Sequence, residues 1–147
     1  MVVENDKIEK IYSFYVSDYH LEMILLPFIN NKIENNKKVI IETEYYLEES
    51  LKVVLERTNI KQENKNKILN LGWNLNEKRE LEDKSNIIII GNKEYIKNIN
   101  YKIKENKFGD VTIVDCYKFE DLEGDINQIK NTYDFNLNTY GINNIQK

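Results

Sequence analysis

The stretch that decides the fold is Ser85–Asn92, "SNIIIIGN", in which four consecutive isoleucines lie between short polar residues. A strand with one solvent-exposed face alternates apolar and polar residues, whereas this apolar run is uninterrupted. Lys37–Glu44, "KKVIIETE", has the same continuous character. Such runs are typical of strands that are buried on both faces, as in a parallel sheet covered by helices. The two stretches therefore predict the centre of an α/β fold.

Two further β-rich runs bring the number of predicted strands to four. The predicted strands are Ile11–Val16, Val39–Ile41, Ile87–Ile90 and Val111–Cys116. Four stripes of apolar residues at helical spacing lie between and after these strands. The stripes consist of Leu21, Ile24, Leu25, Phe28, Ile29 and Ile33; Leu47, Leu51, Val54 and Leu55; Ile96, Ile99 and Ile103; and Leu122, Ile126, Ile129 and Tyr133. An additional helix over Ile60–Leu71 completes the order β-α-β-α-α-β-α-β-α.

This alternation of strands and helices predicts an α/β three-layer sandwich. It has a central, mainly parallel sheet of four or five strands with helices on both faces. The length of 147 residues indicates one domain over residues 1–147. The segment 131–147 mixes aromatic residues with asparagine, which is compatible with an edge strand, a helix end, or a flexible or interface tail.

The composition narrows the classes of function. The net charge is −4 and only two arginines occur, so a basic footprint for nucleic acid is absent. The 22 asparagines and the absence of alanine indicate the codon usage of an AT-rich genome. A single cysteine fits a reducing compartment. The start, "MVVENDKIEK", lacks an apolar signal core, and no apolar run reaches the roughly 20 residues that span a bilayer. We therefore expect a cytoplasmic protein without a transmembrane segment.

The loops after the strands are where a ligand is expected, because open α/β sheets bind ligands beyond the carboxyl ends of their strands. Tyrosines gather at these predicted ends and favour a mixed aromatic and polar cleft for a small organic ligand or a partner protein. The predicted ligand-binding residues are Ser17, Asp18, Tyr19, His20, Glu42, Thr43, Tyr45, Asn92 and Tyr117.

The first of these loops, "YVSDYHLE", has neither the glycines nor the lysine of a phosphate-binding loop. Ser17 or Asp18 is instead a suitable N-cap for the following helix. Glu42, Glu44, Glu48 and Glu49 are explained by the preference for acidic residues at a helix start. No cofactor and no metal ion is predicted.

Two side chains leave a catalytic interpretation open. His20 in the first turn of a helix favours the neutral imidazole and can serve acid–base chemistry beside Asp18, Glu42 or Glu44. The simpler interpretation is a partly exposed histidine with one hydrogen bond. Cys116 ends a buried strand beside no base, which favours a small core residue over a nucleophile.

The segment Lys10–Glu44, "KIYSFYVSDYHLEMILLPFINNKIENNKKVIIETE", resembles the start of MEDS-type sensory domains. The shared features are an aromatic first strand, a helix with "LLPFI", and a lysine-preceded second strand after a polar gap. The glycine often found before that second strand is replaced here by "ENNKK". The resemblance implies a RecA-like fold without a phosphate loop, acting as a non-catalytic sensing module in a bacterial regulatory pathway.

Three functions follow from these observations. The first is a non-catalytic sensory or protein-interaction domain, with a possible homodimer. The second is a small hydrolase or transferase that uses Asp18, His20, Glu42 or Glu44, and Cys116. The third is a flavodoxin-like nucleotide-binding protein that uses Ser17, Thr43 and Asn92.

Overall fold

The computed structural model describes residues 7–75, 77, 80–122 and 124–145. The strands are β1 (Ile8–Tyr15), β2 (Lys38–Thr43), β3 (Ser85–Ile90), β4 (Val111–Lys118), β5 (Phe135–Asn138) and β6 (Gly141–Asn144). The helices are α1 (Asp18–Glu34), α2 (Glu48–Glu56), α3 (Gln62–Leu69), α4 (Lys93–Glu105) and α5 (Ile126–Thr132), with a 3-10 turn at Phe119–Leu122. The chain is therefore an α/β protein, as its sequence predicts.

The six strands form one sheet in the order β2-β3-β4-β1-β5-β6. All neighbouring pairs are parallel except β5 and β6, which form an antiparallel hairpin. The prediction of four or five strands is wrong, because it leaves out this hairpin. The hairpin strands have four residues each and contain asparagine in place of a β-branched run, so they lack a sequence signal.

Both faces of the sheet carry apolar clusters, which explains the four consecutive isoleucines of β3. Ile88 and Ile90 pack with residues of α1, α2 and α3 in a first cluster. Ile87 and Ile89 pack with α4 in a second cluster. All four side chains are fully buried. Since successive side chains of a strand point to opposite faces, burial of both faces requires an unbroken apolar run.

The residues at the start of helix α1 explain where the helix begins. The Ser17 hydroxyl accepts a hydrogen bond from the backbone N–H of His20 (3.1 Å), so Ser17 is the N-cap. Asp18 in the first turn favours the positive end of the helix dipole. The helix runs on through Pro27, whose side chain is exposed, to Glu34.

A polar network lies inside the second cluster, centred on the fully buried carboxylate of Asp115. Asp115 accepts hydrogen bonds from the Lys10 ammonium (2.7 Å), from the Asn100 amide (3.0 Å) and from the Tyr133 hydroxyl. The Lys10 nitrogen also lies 5.0 Å from the centre of the Tyr133 ring. A buried charge is tolerated only when it is paired and hydrogen-bonded, as this one is.

Within the described ranges, no helix has both the length and the apolar composition needed to cross a bilayer.

Candidate functional site

The sheet has a topological switch point between β1 and β4. These strands are neighbours, yet the chain leaves them toward opposite faces. After β1 it enters α1, whose Leu21 belongs to the first cluster, whereas after β4 it reaches Leu122 in the second cluster. Loops that diverge in this way open a crevice at the carboxyl ends of the strands, where α/β proteins bind ligands.

A cleft of about 430 Å³ lies at this point. We call it the strand-end cleft, and it is lined by Tyr15, Asp18, Tyr45, Tyr46, Leu47, Lys118, Glu120 and Asp121. Tyr15 and Leu47 are buried, whereas Tyr46 is 66% exposed. The lining therefore combines a buried aromatic side chain, Tyr15, with a solvent-exposed one, Tyr46.

The loop that carries Tyr45 and Tyr46 is held by backbone hydrogen bonds. The Thr43 hydroxyl accepts from the Tyr45 N–H (3.0 Å), which turns the chain at the end of β2. The Leu47 N–H donates to the Trp73 carbonyl (2.8 Å), and the Leu75 N–H donates to the Tyr45 carbonyl (2.9 Å). These contacts attach one wall of the cleft to the chain that follows α3, so the wall is positioned before any ligand arrives.

The strand-end cleft has a negative electrostatic character. It contains three carboxylates and one ammonium, and the Lys118 ammonium is itself 3.1 Å from Glu120. Burial, together with the charges of Glu44, Asp121 and Asp18, raises the pKa of Tyr45 to about 12. Burial also raises the pKa of Tyr15, and its neighbours Tyr45, Cys116, Asp18 and Asp121 add to that rise. The cleft thus disfavours anions and favours cations.

A buried carboxylate lies one helical turn from the cleft. Glu22 of α1 is 2% exposed, and neither of its oxygens has a hydrogen-bond partner among the described residues. Burial raises the pKa of Glu22, the nearby Ser50 hydroxyl lowers it, and Asp18 raises it further. Glu22 therefore shares the negative field of Asp18, four residues earlier on the same helix face.

The residues at the start of α1 serve the helix. The His20 Nδ1 accepts a hydrogen bond from the Val16 N–H (3.0 Å), so the loop uses one nitrogen of the imidazole. Ser17 is the N-cap, and Tyr19 is 58% exposed. Of this predicted group, the structure brings Asp18 alone into the lining of the strand-end cleft.

The loops that follow β2 and β3 are joined by a side chain. The Glu44 carboxylate accepts a hydrogen bond from the backbone N–H of Asn92, at the start of α4. Asn92 is the N-cap of that helix and accepts from the Tyr95 N–H (2.8 Å). A Cβ at Gly91 would lie 2.5 Å from the Tyr95 ring and 3.0 Å from Glu44, so the packing requires glycine.

The remaining predicted residues do not line the strand-end cleft. Glu42 and Thr43 end β2, and Tyr117 is buried in the second cluster, where its hydroxyl lies 2.6 Å from that of Tyr133. Of the nine predicted ligand-binding residues, the cleft gathers Asp18 and Tyr45. The other six lining residues are outside the predicted nine. Lys118, Glu120 and Asp121 are among them, and β4 extends two residues beyond Cys116, where it was predicted to end.

The chemistry of the cysteine does not match that of a nucleophile. Cys116 is fully buried, and burial, with the charge of Asp115 in addition, raises the pKa of its thiol. A buried neutral thiol packs as a small apolar side chain. Across the described part of the chain, no three histidine, cysteine or carboxylate side chains are grouped as ligands for a metal ion.

Comparisons with known proteins leave the site to be interpreted from its own geometry. No family model, no curated protein and no solved structure matches this chain.

Proposed function

We propose that this chain is a non-catalytic sensory or protein-interaction domain that binds a small, positively charged organic ligand in the strand-end cleft. The observation that carries the proposal is the combination of three tyrosines and three carboxylates around one 430 Å³ cleft. Aromatic faces attract organic cations through the negative charge of the ring face, at about 0.5–2 kcal/mol per contact. Carboxylates add a charge partner at the same place.

The position and shape of the cleft support this function. It lies at the switch point between β1 and β4, the usual ligand position in open α/β sheets. Its volume lies within the range of about 300–1,000 Å³ that is common for small-molecule sites. We also infer three layers, since the two clusters place α1 to α3 and α4 on different faces of the sheet.

The two alternative functions receive less support. A nucleotide would bring phosphates toward Asp18, Glu120 and Asp121, whose charges repel them. An enzyme requires a base and a nucleophile within reach of each other. His20 accepts its hydrogen bond from Val16, and the Cys116 thiol is buried and neutral.

The test compares two ligands that differ only in charge. Choline and its neutral isostere, in which a carbon replaces the quaternary nitrogen, are titrated into the protein and followed by two-dimensional amide NMR. We expect choline to shift the amides of the cleft residues, and the isostere to bind at least about fivefold more weakly. Raising the salt concentration should weaken choline binding, because it screens the partly exposed carboxylates.

Two matched variants locate the interaction. Asp121→Asn removes one cleft carboxylate without changing its size, and we expect choline to bind about fivefold more weakly, a loss of about 1 kcal/mol. Glu105→Gln removes an exposed carboxylate at the end of α4 and should leave binding unchanged. Equal binding of choline and the isostere, or equal effects of the two substitutions, would contradict the proposal.

A further inference from the structure

Strand β6 forms an edge of the sheet that has no charge and no proline. Of the described residues, none pairs with the outer side of Gly141–Asn144, so this strand presents backbone N–H and C=O groups. Edge strands are protected from pairing by short length, by lysine or another charged side chain, or by proline. Strand β6 has four residues, and its sequence, "GINN", contains no charge and no proline. The edge is therefore open to the addition of another strand.

The hairpin that includes this edge carries no charged side chain. The segment 135–145, which includes the whole β5–β6 hairpin, has no charged residue in a chain of which 31% is charged. Long uncharged stretches elsewhere, such as β3, are buried, whereas here Leu137 is the one buried residue. The hairpin thus keeps an exposed surface free of the charges that cover the rest of the molecule.

Apolar side chains stand beside the open edge. Tyr140 at the hairpin turn is 94% exposed, and Ile142 of β6 is 48% exposed. Ile142 also lines a groove of about 200 Å³ between α1 and the hairpin, together with Ile24, Phe28 and Leu137. A second strand that pairs with this edge therefore also covers these side chains.

We propose that β6 pairs antiparallel with β6 of a second copy of this chain, which joins two sheets across a two-fold axis. Across such an axis residue i of one copy meets residue j of the other, and the residues closest to the axis meet their own copies, so a charge beside the axis would meet the same charge. Chains with a net charge of −4 repel one another, and an uncharged surface is where they approach at least cost. The charge-free hairpin therefore suits a second copy better than a charged partner.

The opposite edge of the sheet disfavours head-to-tail growth. Strand β2 begins at Lys38, whose ammonium pairs with Glu82, and Lys37 precedes it. These charges protect that edge in the usual way. Each copy thus offers one free edge, and pairing stops at the dimer.

Sedimentation velocity and light scattering over a range of concentrations test this pairing. The contact is small, so we expect dimer formation in the micromolar to millimolar range. The substitution Ile142→Lys places two like charges close to the axis and should weaken the dimer at least about tenfold. The control is Val53→Lys, which introduces the same charge at a 51% exposed aliphatic position on α2 and should leave the dimer unchanged.

A thermal melt by circular dichroism confirms that each variant is folded. If Ile142→Lys unfolds the protein, Tyr140→Lys replaces it, because that side chain is almost fully exposed and its loss does not affect the core. A wild-type protein that remains monomeric up to about 1 mM overturns the proposal. Assembly into species larger than a dimer, or a Val53→Lys variant whose dimer is weakened as much as that of Ile142→Lys, also overturns the proposal.

Discussion

The substitution Lys10→Met probes the buried network that joins β1, β4 and α4. It removes the ammonium that lies 2.7 Å from the Asp115 carboxylate and leaves a side chain of similar length. Asp115 is fully buried, so the carboxylate then lacks a compensating charge. It keeps the hydrogen bonds from Asn100 and Tyr133.

The size of the effect follows from these contacts. Removing one partner of a buried ion pair costs about 3–5 kcal/mol, because the other charge stays in a low-dielectric interior. Two remaining hydrogen bonds and the 23% exposure of the Lys10 side chain place this case at the low end, near 3 kcal/mol. For a chain of this size, about 3 kcal/mol lowers the melting temperature by roughly 6–12 °C.

Urea denaturation and differential scanning calorimetry measure this change. Lys104→Met, at an exposed position of α4, is the matched control and should change the free energy of unfolding by less than about 0.5 kcal/mol. The double variant Lys10→Met with Asp115→Leu should recover much of the loss, since no buried charge remains. A loss below about 1 kcal/mol in Lys10→Met would refute the assignment of a buried, charge-dependent network.

Two further predictions concern packing near the ends of the strands. Gly91→Ala should lower the free energy of unfolding, measured in urea, by about 1–3 kcal/mol, because the new methyl group lies 2.5 Å from the Tyr95 ring. An unchanged midpoint of urea denaturation would contradict this packing. Glu22→Gln should raise stability at pH 7 by about 1 kcal/mol, because it removes a buried negative charge that lies in the field of Asp18. The pKa of Glu22 is higher in the folded state than in the unfolded chain, so the wild type loses stability as the pH rises above the pKa of the unfolded chain. The advantage of the variant should therefore vanish below about pH 4, where Glu22 is protonated in both states.

The sequence predicts the strands of the core well and their arrangement poorly. Ile87–Ile90 lies inside the observed β3, because burial on both faces leaves an unbroken apolar run. The insertion of β1 between β4 and β5 has no such signal, since several strand orders bury the same residues. The hairpin β5–β6 escapes prediction because most of its side chains are polar and exposed.

The candidate site is predictable only in part, for the same reason. Asp18 and Tyr45 follow clear strand ends, and both line the cleft. Lys118, Glu120 and Asp121 enter it because β4 lies beside β1, which depends on the strand order. Glu44, predicted to belong to a helix start, instead caps the N-terminus of α4 across the sheet, a contact that only the β2–β3 pairing creates.

The central claim, that the strand-end cleft binds an organic cation through its tyrosines, is tested most directly by exchanging one aromatic ring. Tyr46 of the cleft and Tyr101 of α4 are 66% and 64% exposed, so Tyr101→Leu is a control of matched exposure for Tyr46→Leu. Calorimetric titration with choline measures both variants. We expect Tyr46→Leu to weaken binding roughly two- to fivefold and Tyr101→Leu to leave it unchanged. Undiminished binding to Tyr46→Leu, or an equal loss in both variants, would contradict the assignment of the cleft.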